Sequence, residues 1–164
     1  MAVTTESSTE YTNATASPAV MNHATEHHGV IRVMFFTHDQ SGAGDATSSV
    51  ALGKLPAGKV RVLASQSRAY VNWTTGSATI DLGWDAYTNL SGTAVAADPN
   101  GLIDGLAVDT VGFQTLEGAI AANLLTGGTY VFESKGGVVI RATSQDVAIA
   151  SGDDLVGFLM YVVD

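Results

Sequence analysis

The sequence predicts an all-β fold, a β-sandwich or jelly-roll-like body of about eight strands over residues 29–164, with an extended N-terminal arm over residues 1–28. Three observations lead there. Ala78, Ile80, Leu82 and Trp84 alternate with Ser77, Thr79, Asp81 and Gly83, the period of a half-buried strand. In the C-terminal third, short β-branched and aromatic runs are separated by glycine and aspartate turn strings, as in sandwiches and barrels. Residues 1–28, by contrast, scatter their apolar side chains among Ser, Thr and Ala with neither a helical nor a strand period.

The arm is too polar to offset its ordering entropy by burying its own side chains. Contact with its own body or with a neighbouring subunit is what would order it, and a neighbour is the expected partner. Val3, Tyr11, Val20 and Met21 are isolated apolar side chains suited to filling pockets while an extended backbone pairs with a sheet edge. Pro18 restricts the chain and lowers the entropy lost on docking.

The body opens with an apolar, β-branched and aromatic run from Val30 to Thr37, read as a buried strand. Ser49–Leu52 and Lys59–Val71 follow, separated by the turn string LPAG, and in the second of these Val60, Val62 and Ala64 share one face. Ser77–Trp84 is the clearest strand. From Asp85 to Gly128 glycines interrupt the pattern, DPNG at Asp98–Gly101 reads as a turn, and the segment reads as a long connection. Within it, Leu116, Ile120 and Leu124 suggest a short helix over Leu116–Leu125. Two strand-like runs joined at Lys135, Gly136 and Gly137 predict a hairpin, and after a turn at Ser151–Asp154 a long apolar strand closes the chain. Ile80, Leu82, Val138, Ile140, Phe158 and Met160 are the expected core positions.

Composition narrows the function. Charged residues make up 14% of the chain against 46% hydrophobic, well below the roughly 25% charge of ordinary soluble domains. A surface so poor in charge suits a protein covered by other chains. The net charge of −9 argues against binding a phosphate backbone. No apolar stretch approaches a membrane span, and residues 1–30 hold neither the basic start nor the apolar run of a secretory signal. With no cysteine, disulfides and thiolate metal sites are excluded.

Three stretches, HGVIRVMFFTHDQSGAGDATSSVALGKLPAGKVRVL, IDLGWDAYTNLSGTAVAADPNGLIDGL and YVFESKGGVVIRATSQDVAIASGDDLVGFLMYVVD, together resemble a group of small tailed-phage virion proteins, over roughly Gly29 to Asp164. The resemblance implies a non-enzymatic head decoration or cement protein with a β-sandwich body. It would be made in the host cytoplasm and carried on the outer surface of the head. Its expected partners are the major capsid protein lattice and neighbouring copies of itself in a homo-oligomer such as a trimer, with no nucleic acid, membrane or cofactor. The arm before Gly29 departs from the pattern. Two other readings use the same fold: a carbohydrate-binding or host-attachment module, and a tail or head-to-tail connector component.

Candidate chemistry is sparse. His23 and His27 are four apart with Glu26 between them, but Ala24 stands where a zinc-peptidase motif needs Glu, and no further ligand is evident. Asp39, Ser41 and Asp45, and again Asp98, Asn100 and Asp104, offer oxygens in glycine-rich strings that fit no EF-hand loop, and Asx-type turns explain both. No Gly-x-Ser-x-Gly elbow occurs, and His38 beside Asp39 is only an adjacent pair. No catalytic, cofactor-binding or metal residue is therefore assigned. Trp73, Trp84, Tyr70 and Tyr87 would form a sugar-stacking platform if exposed, although the apolar parity of Trp84 favours the core. Arg32, Lys54, Lys59, Arg61 and Arg68 form a basic strip along the sequence, suited to an acidic capsid patch or the arm, or simply to solvated strand faces.

Overall fold

The computed structural model describes residues 12, 15–18, 20, 30–116, 129–145 and 147–163. Thr12 and Thr15 are helical, and from residue 30 onward the described chain is built of strands: β1 (Ile31–Asp39), β2 (Ser49–Leu55), β3 (Gly58–Leu63), β4 (Arg68–Val71), β5 (Thr79–Trp84), β6 (Tyr87–Thr88), β7 (Ala94–Val95), β8 (Asp98–Ala107), β9 (Gly112–Thr115), β10 (Thr129–Ser134), β11 (Val138–Ser144) and β12 (Asp154–Val163).

β12 is the spine of the first sheet. β1 lies antiparallel along its whole length, from Ile31 opposite Val162 to Asp39 opposite Asp154. The other edge of β12 is shared, with β3 pairing near Val162 and β4 pairing from Leu155 to Phe158. β10 extends the sheet beyond β3, and β9 extends it beyond β4. Six strands thus fill a sheet only four positions wide. The second sheet has the order β2-β11-β5-β8, and β6 and β7 form a separate two-stranded ribbon. Four positions facing four make a jelly-roll-like sandwich, as expected.

The run Lys59–Val71, expected as one strand, is broken by a 3₁₀ turn at Ala64–Gln66. Ser67 closes the gap this leaves beside β12. Its buried hydroxyl donates to the Leu63 carbonyl at 2.9 Å and accepts from the Met160 N–H at 2.9 Å, a donor that neither β3 nor β4 pairs.

The core lies between the sheets. Val60, Val62, Ala69, Val71 and Phe132 of the first sheet meet Ile80, Leu82, Trp84, Val138 and Ile140 of the second, all buried. The Trp84 ring stands edge-on to Phe132 at 5.2 Å, the arrangement aromatic quadrupoles favour. Burying each such aliphatic or aromatic side chain contributes about 1.5–3 kcal/mol.

Four expectations are corrected. Phe158 and Met160 are half-buried and outward, whereas Leu155, Gly157, Leu159 and Tyr161 take the inward parity of β12. The run DLVGFLMYVV is apolar on both parities, so alternation could not choose its register. The decisive contact is at Gly157, where a Cβ would collide with the Phe36 ring and the Arg68 carbonyl.

The runs flanking Lys135, Gly136 and Gly137 do not pair with each other: β10 pairs with β3, and β11 pairs with β2 and β5. The connection is an arch between sheets, with Gly137 at φ 84° and its N–H donating to Ser134 Oγ at 3.1 Å. A tight glycine turn has the same local signature in an arch as in a hairpin.

DPNG at Asp98–Gly101 is not a turn but the start of β8, and β6 to β9 occupy much of the expected long connection. Small residues are required there because β8 crosses closely over β5: a Cβ at Gly101 would overlap the Trp84 ring, and one at Gly83 the Asp98 carbonyl. Of the expected helix, only Leu116, which is buried, lies within the described residues.

Candidate interaction surface

Outward-facing side chains follow from register, because residues directly opposite each other share a face. Across the first sheet the outward rows are Thr37, Val156, Tyr70 and Phe113, then Phe35, Phe158, Arg68 and Thr115. Beyond these come Val33 opposite Met160, and Ile31, Val162, Arg61 and Val131. This face is apolar at its centre. Phe35 is 76% exposed and Phe113 74% exposed, and Ile31, Val33 and Val156 are exposed beside them.

Phe35 on β1 and Phe113 on β9 wall a shallow cleft of about 360 Å³. Val156, Phe158 and Tyr70 form its floor, and Arg68 stands at its margin. Phe35 packs on Phe158 with centroids 6.1 Å apart, and Phe113 packs edge-on to Tyr70 at 5.5 Å. Each exposed ring therefore leans on a half-buried one and the cleft is held open. At one end of the face the outward row is acidic, with Asp39 opposite Asp154. Asp154 there accepts from Asn72 Nδ2 at 2.8 Å and donates its N–H to Asn72 Oδ1 at 2.6 Å. At the other end Lys59 lies 4.0 Å from Glu133.

β1 is also an edge. Among the described residues it pairs with β12 alone, so its outer N–H and C=O groups face outward over nine residues. Such an edge is usually blunted by lysine, proline or a bulge. β1 has no lysine, proline or bulge, its register with β12 is unbroken, and its charges, Arg32 and Asp39, lie near its two ends.

The outward face of the second sheet is different in kind. Arg141 makes a bidentate pair with Asp85, Nε to Oδ1 at 2.6 Å and Nη2 to Oδ2 at 2.7 Å, and its Nη1 reaches Ser49 Oγ at 3.2 Å. The hydrogen bond from Arg141 holds the Asp85 carboxyl below its ordinary pKa, against a smaller opposing effect of burial. Gln145 bridges Thr79 and Asp104, and Asp81 accepts from the Gly105 N–H at 2.9 Å.

Solved structures similar to this fold include chains of virus particles. One is a chain of the cyanophage Pam1 capsid asymmetric unit, at 15% identity and a TM-score of 0.54, covering 92% of this chain and 96% of that one. Another is infectious bursal disease virus, Gt strain, at 8% identity and a TM-score of 0.51, covering 84% of this chain and 33% of that one. The VP2 subviral particle of infectious bursal disease virus is similar at 7% identity, a TM-score of 0.51 and the same coverage, 84% and 33%. This chain thus spans about a third of the length of the bursal disease virus chains. At these identities the likeness is one of fold. No family model matches the sequence, and no curated protein matches it.

Of the arm residues singled out from sequence, Pro18 and Val20 are exposed, and Val3, Tyr11 and Met21 lie outside the described residues. Thr12 and Thr15 are helical, with Thr15 Oγ1 donating to the Thr12 carbonyl at 3.4 Å, in a segment expected to be extended. His23 and His27 lie outside the described residues, while His38 is half-buried with Nε2 2.9 Å from Gln40 Oε1. Asp98, Asn100 and Asp104 are spread along β8 and do not line one loop.

The aromatic platform does not form as drawn, because Trp73 is 4% exposed and Trp84 6% exposed. Among the described residues the exposed rings are Phe35 and Phe113, neither of which sequence reasoning singled out. Phe113 sits in a glycine-broken stretch, and Phe35 in a run apolar enough to read as buried on both faces. The basic strip divides: Lys59, Arg61 and Arg68 share the outward face of the first sheet, whereas Lys54, opposite Val139, lies on that of the second.

Proposed function

We propose that this chain is a structural, non-enzymatic virion component, a decoration or cement protein that binds the outer surface of a tailed-phage head and stabilises it. The observation that carries the reading is the apolar outward face of the first sheet, bordered by the edge of β1, which is open among the described residues. Contiguous apolar surface of this kind marks an interaction site, and an open strand edge is a template for pairing with another chain. The fold likeness to capsid chains supports the reading, above all the Pam1 chain, 96% of which is covered. The expected partners are the major capsid protein lattice and neighbouring copies in a closed homo-oligomer such as a trimer. Val3, Tyr11, Pro18, Val20 and Met21 are the arm residues that contact the capsid protein or a neighbour.

The test is reconstitution. Particles lacking the protein are mixed with purified chain, imaged by electron microscopy and heated. The expected result is density at symmetry-related positions on the head exterior and a higher temperature of genome release. Density confined to the tail or the head–tail junction, or no density at saturating protein, would overturn the reading.

A further inference from the structure

The cleft between Phe35 and Phe113 is a built receptor for one aromatic side chain. Its volume, about 360 Å³, lies at the small end of the roughly 300–1,000 Å³ typical of ligand pockets. Its walls and floor are almost wholly apolar, with Phe35, Tyr70, Phe113 and Phe158 presenting four rings and Arg68 a single cation. Arg68 is exposed and has no ion-pair partner among the described residues. A ligand that satisfies this set is an aromatic ring with a carboxylate beside it.

The chain carries that pair in its own arm. Tyr11 is the only aromatic residue before Phe35, and Glu10 precedes it. Residues 1–29 hold Glu6, Glu10 and Glu26 and no Lys or Arg, so the arm is opposite in charge to the margin of the cleft. The stretch just before β1 is chemically unsuited to the cleft. If the chain folded back along β1, Asn22–His28 would lie against Ile31–Thr37, and that stretch is polar. The ring the arm can offer is the one farther along it, Tyr11. Eighteen residues lie between Tyr11 and Val30, and with the turn at Thr12–Thr15 taken into account they still reach roughly 45 Å when the rest is extended. A body of this size is roughly 35 Å across, so the tether is long enough to leave its own body and reach the next.

We propose that the cleft walled by Phe35 and Phe113 receives Tyr11 from the N-terminal arm of a neighbouring copy, with Glu10 facing Arg68, so that arms strap adjacent copies together. The proposal rests on the assembly reading above and names the partner of that surface. Ring stacking on four aromatic side chains supplies most of the attraction, and the Glu10–Arg68 pair sets the direction of entry.

The absence of native cysteine makes the test clean. A Thr12→Cys chain carrying a mass tag is mixed with an untagged Thr37→Cys chain, both full length and free in solution, and treated with a short bismaleimide. Thr12 adjoins Tyr11 in sequence, and Thr37 lies in the same outward row as Val156 and Phe113. A tagged–untagged heterodimer is expected, its yield falling at least about tenfold when Tyr11→Ala is added. Pairing Thr12→Cys with Thr143→Cys, on the outward face of the second sheet, should give no heterodimer. The double variant Thr12→Cys/Thr37→Cys, diluted alone, should stay open. Closure within one chain, no heterodimer in the first mixture, or an equal yield at Thr143 would each overturn the strap. Decoration of particles by the wild-type chain is scored separately. Decoration without cross-links sinks the strap alone, and cross-links without decoration sink the virion reading alone.

Discussion

On the outward face of the second sheet, Arg141, Asp85, Ser49, Thr79, Gln145 and Asp104 hydrogen-bond one another across the strands. On the outward face of the first sheet, Phe35, Phe113, Val33 and Val156 project with no polar network over them among the described residues. Both faces are backed by the same core, so burial within the chain does not explain the difference. A polar outward face is finished when the chain folds, whereas an apolar one is finished only when another surface covers it. One chain thus carries a polar outward face beside an apolar one, and on the proposed reading the second is covered by a partner, which would account for the low charge without an oversized core.

The comparison can be broken first at the core both faces share. Leu82→Ala should destabilise the fold by about 2–5 kcal/mol, since the site is fully enclosed. Denaturant unfolding that showed less than about 0.5 kcal/mol would place Leu82 on the surface and the β5 register one residue out.

Gly83→Ala sharpens the account of the second sheet. The added methyl would meet the Asp98 carbonyl, so β8 must shift off β5 at a cost of about 1–3 kcal/mol. Neutral behaviour would mean that β8 does not cross there.

Asp85→Asn probes the ion pair over the same sheet, and its effect should be below about 1 kcal/mol because the pair is partly solvated. The folded-state pKa of Asp85 is depressed, so the contribution is present above the ordinary carboxylate value of about 3.8 and is lost as pH falls through the folded value. Melting curves of wild type and Asp85→Asn should therefore differ at neutral pH and converge in acid. A gap that persisted unchanged in acid would assign the effect to something other than this charge.

The smallest effect on stability belongs to the largest exposed side chains. Phe35→Ser and Phe113→Ser should each change the free energy of unfolding by no more than about 0.5 kcal/mol, while lowering the binding of an apolar-surface dye and weakening self-association. Destabilisation comparable to Leu82→Ala would show that these rings serve the fold and that the two faces do not differ in purpose.

Particular segments show what local pattern could and could not carry. The strand Thr79–Trp84 was legible because only one of its parities is apolar, and the structure buries Ile80, Leu82 and Trp84 as that parity requires. The same logic failed on β12, where the outward parity is apolar too, so the feature that hides its register is also the feature that makes the face adhesive. The candidate surface was legible only as a shortage of charge. Its residues come from β1, β12, β4 and β9, and nothing local links Phe35 to Phe113.

The sequence by itself determined the class of the fold, the parity of its clearest strand and the exclusion of disulfides, because these depend on residue type and on a period of two. Only the tertiary structure decided that Gly137 turns an arch and not a hairpin, that Asp98–Gly101 is strand beneath Trp84, and that Phe35 and Phe113 wall one cleft. Those outcomes depend on which strand pairs with which across many residues of separation. A turn or a glycine tolerates several pairings, and the competition among them is settled by packing over the whole molecule.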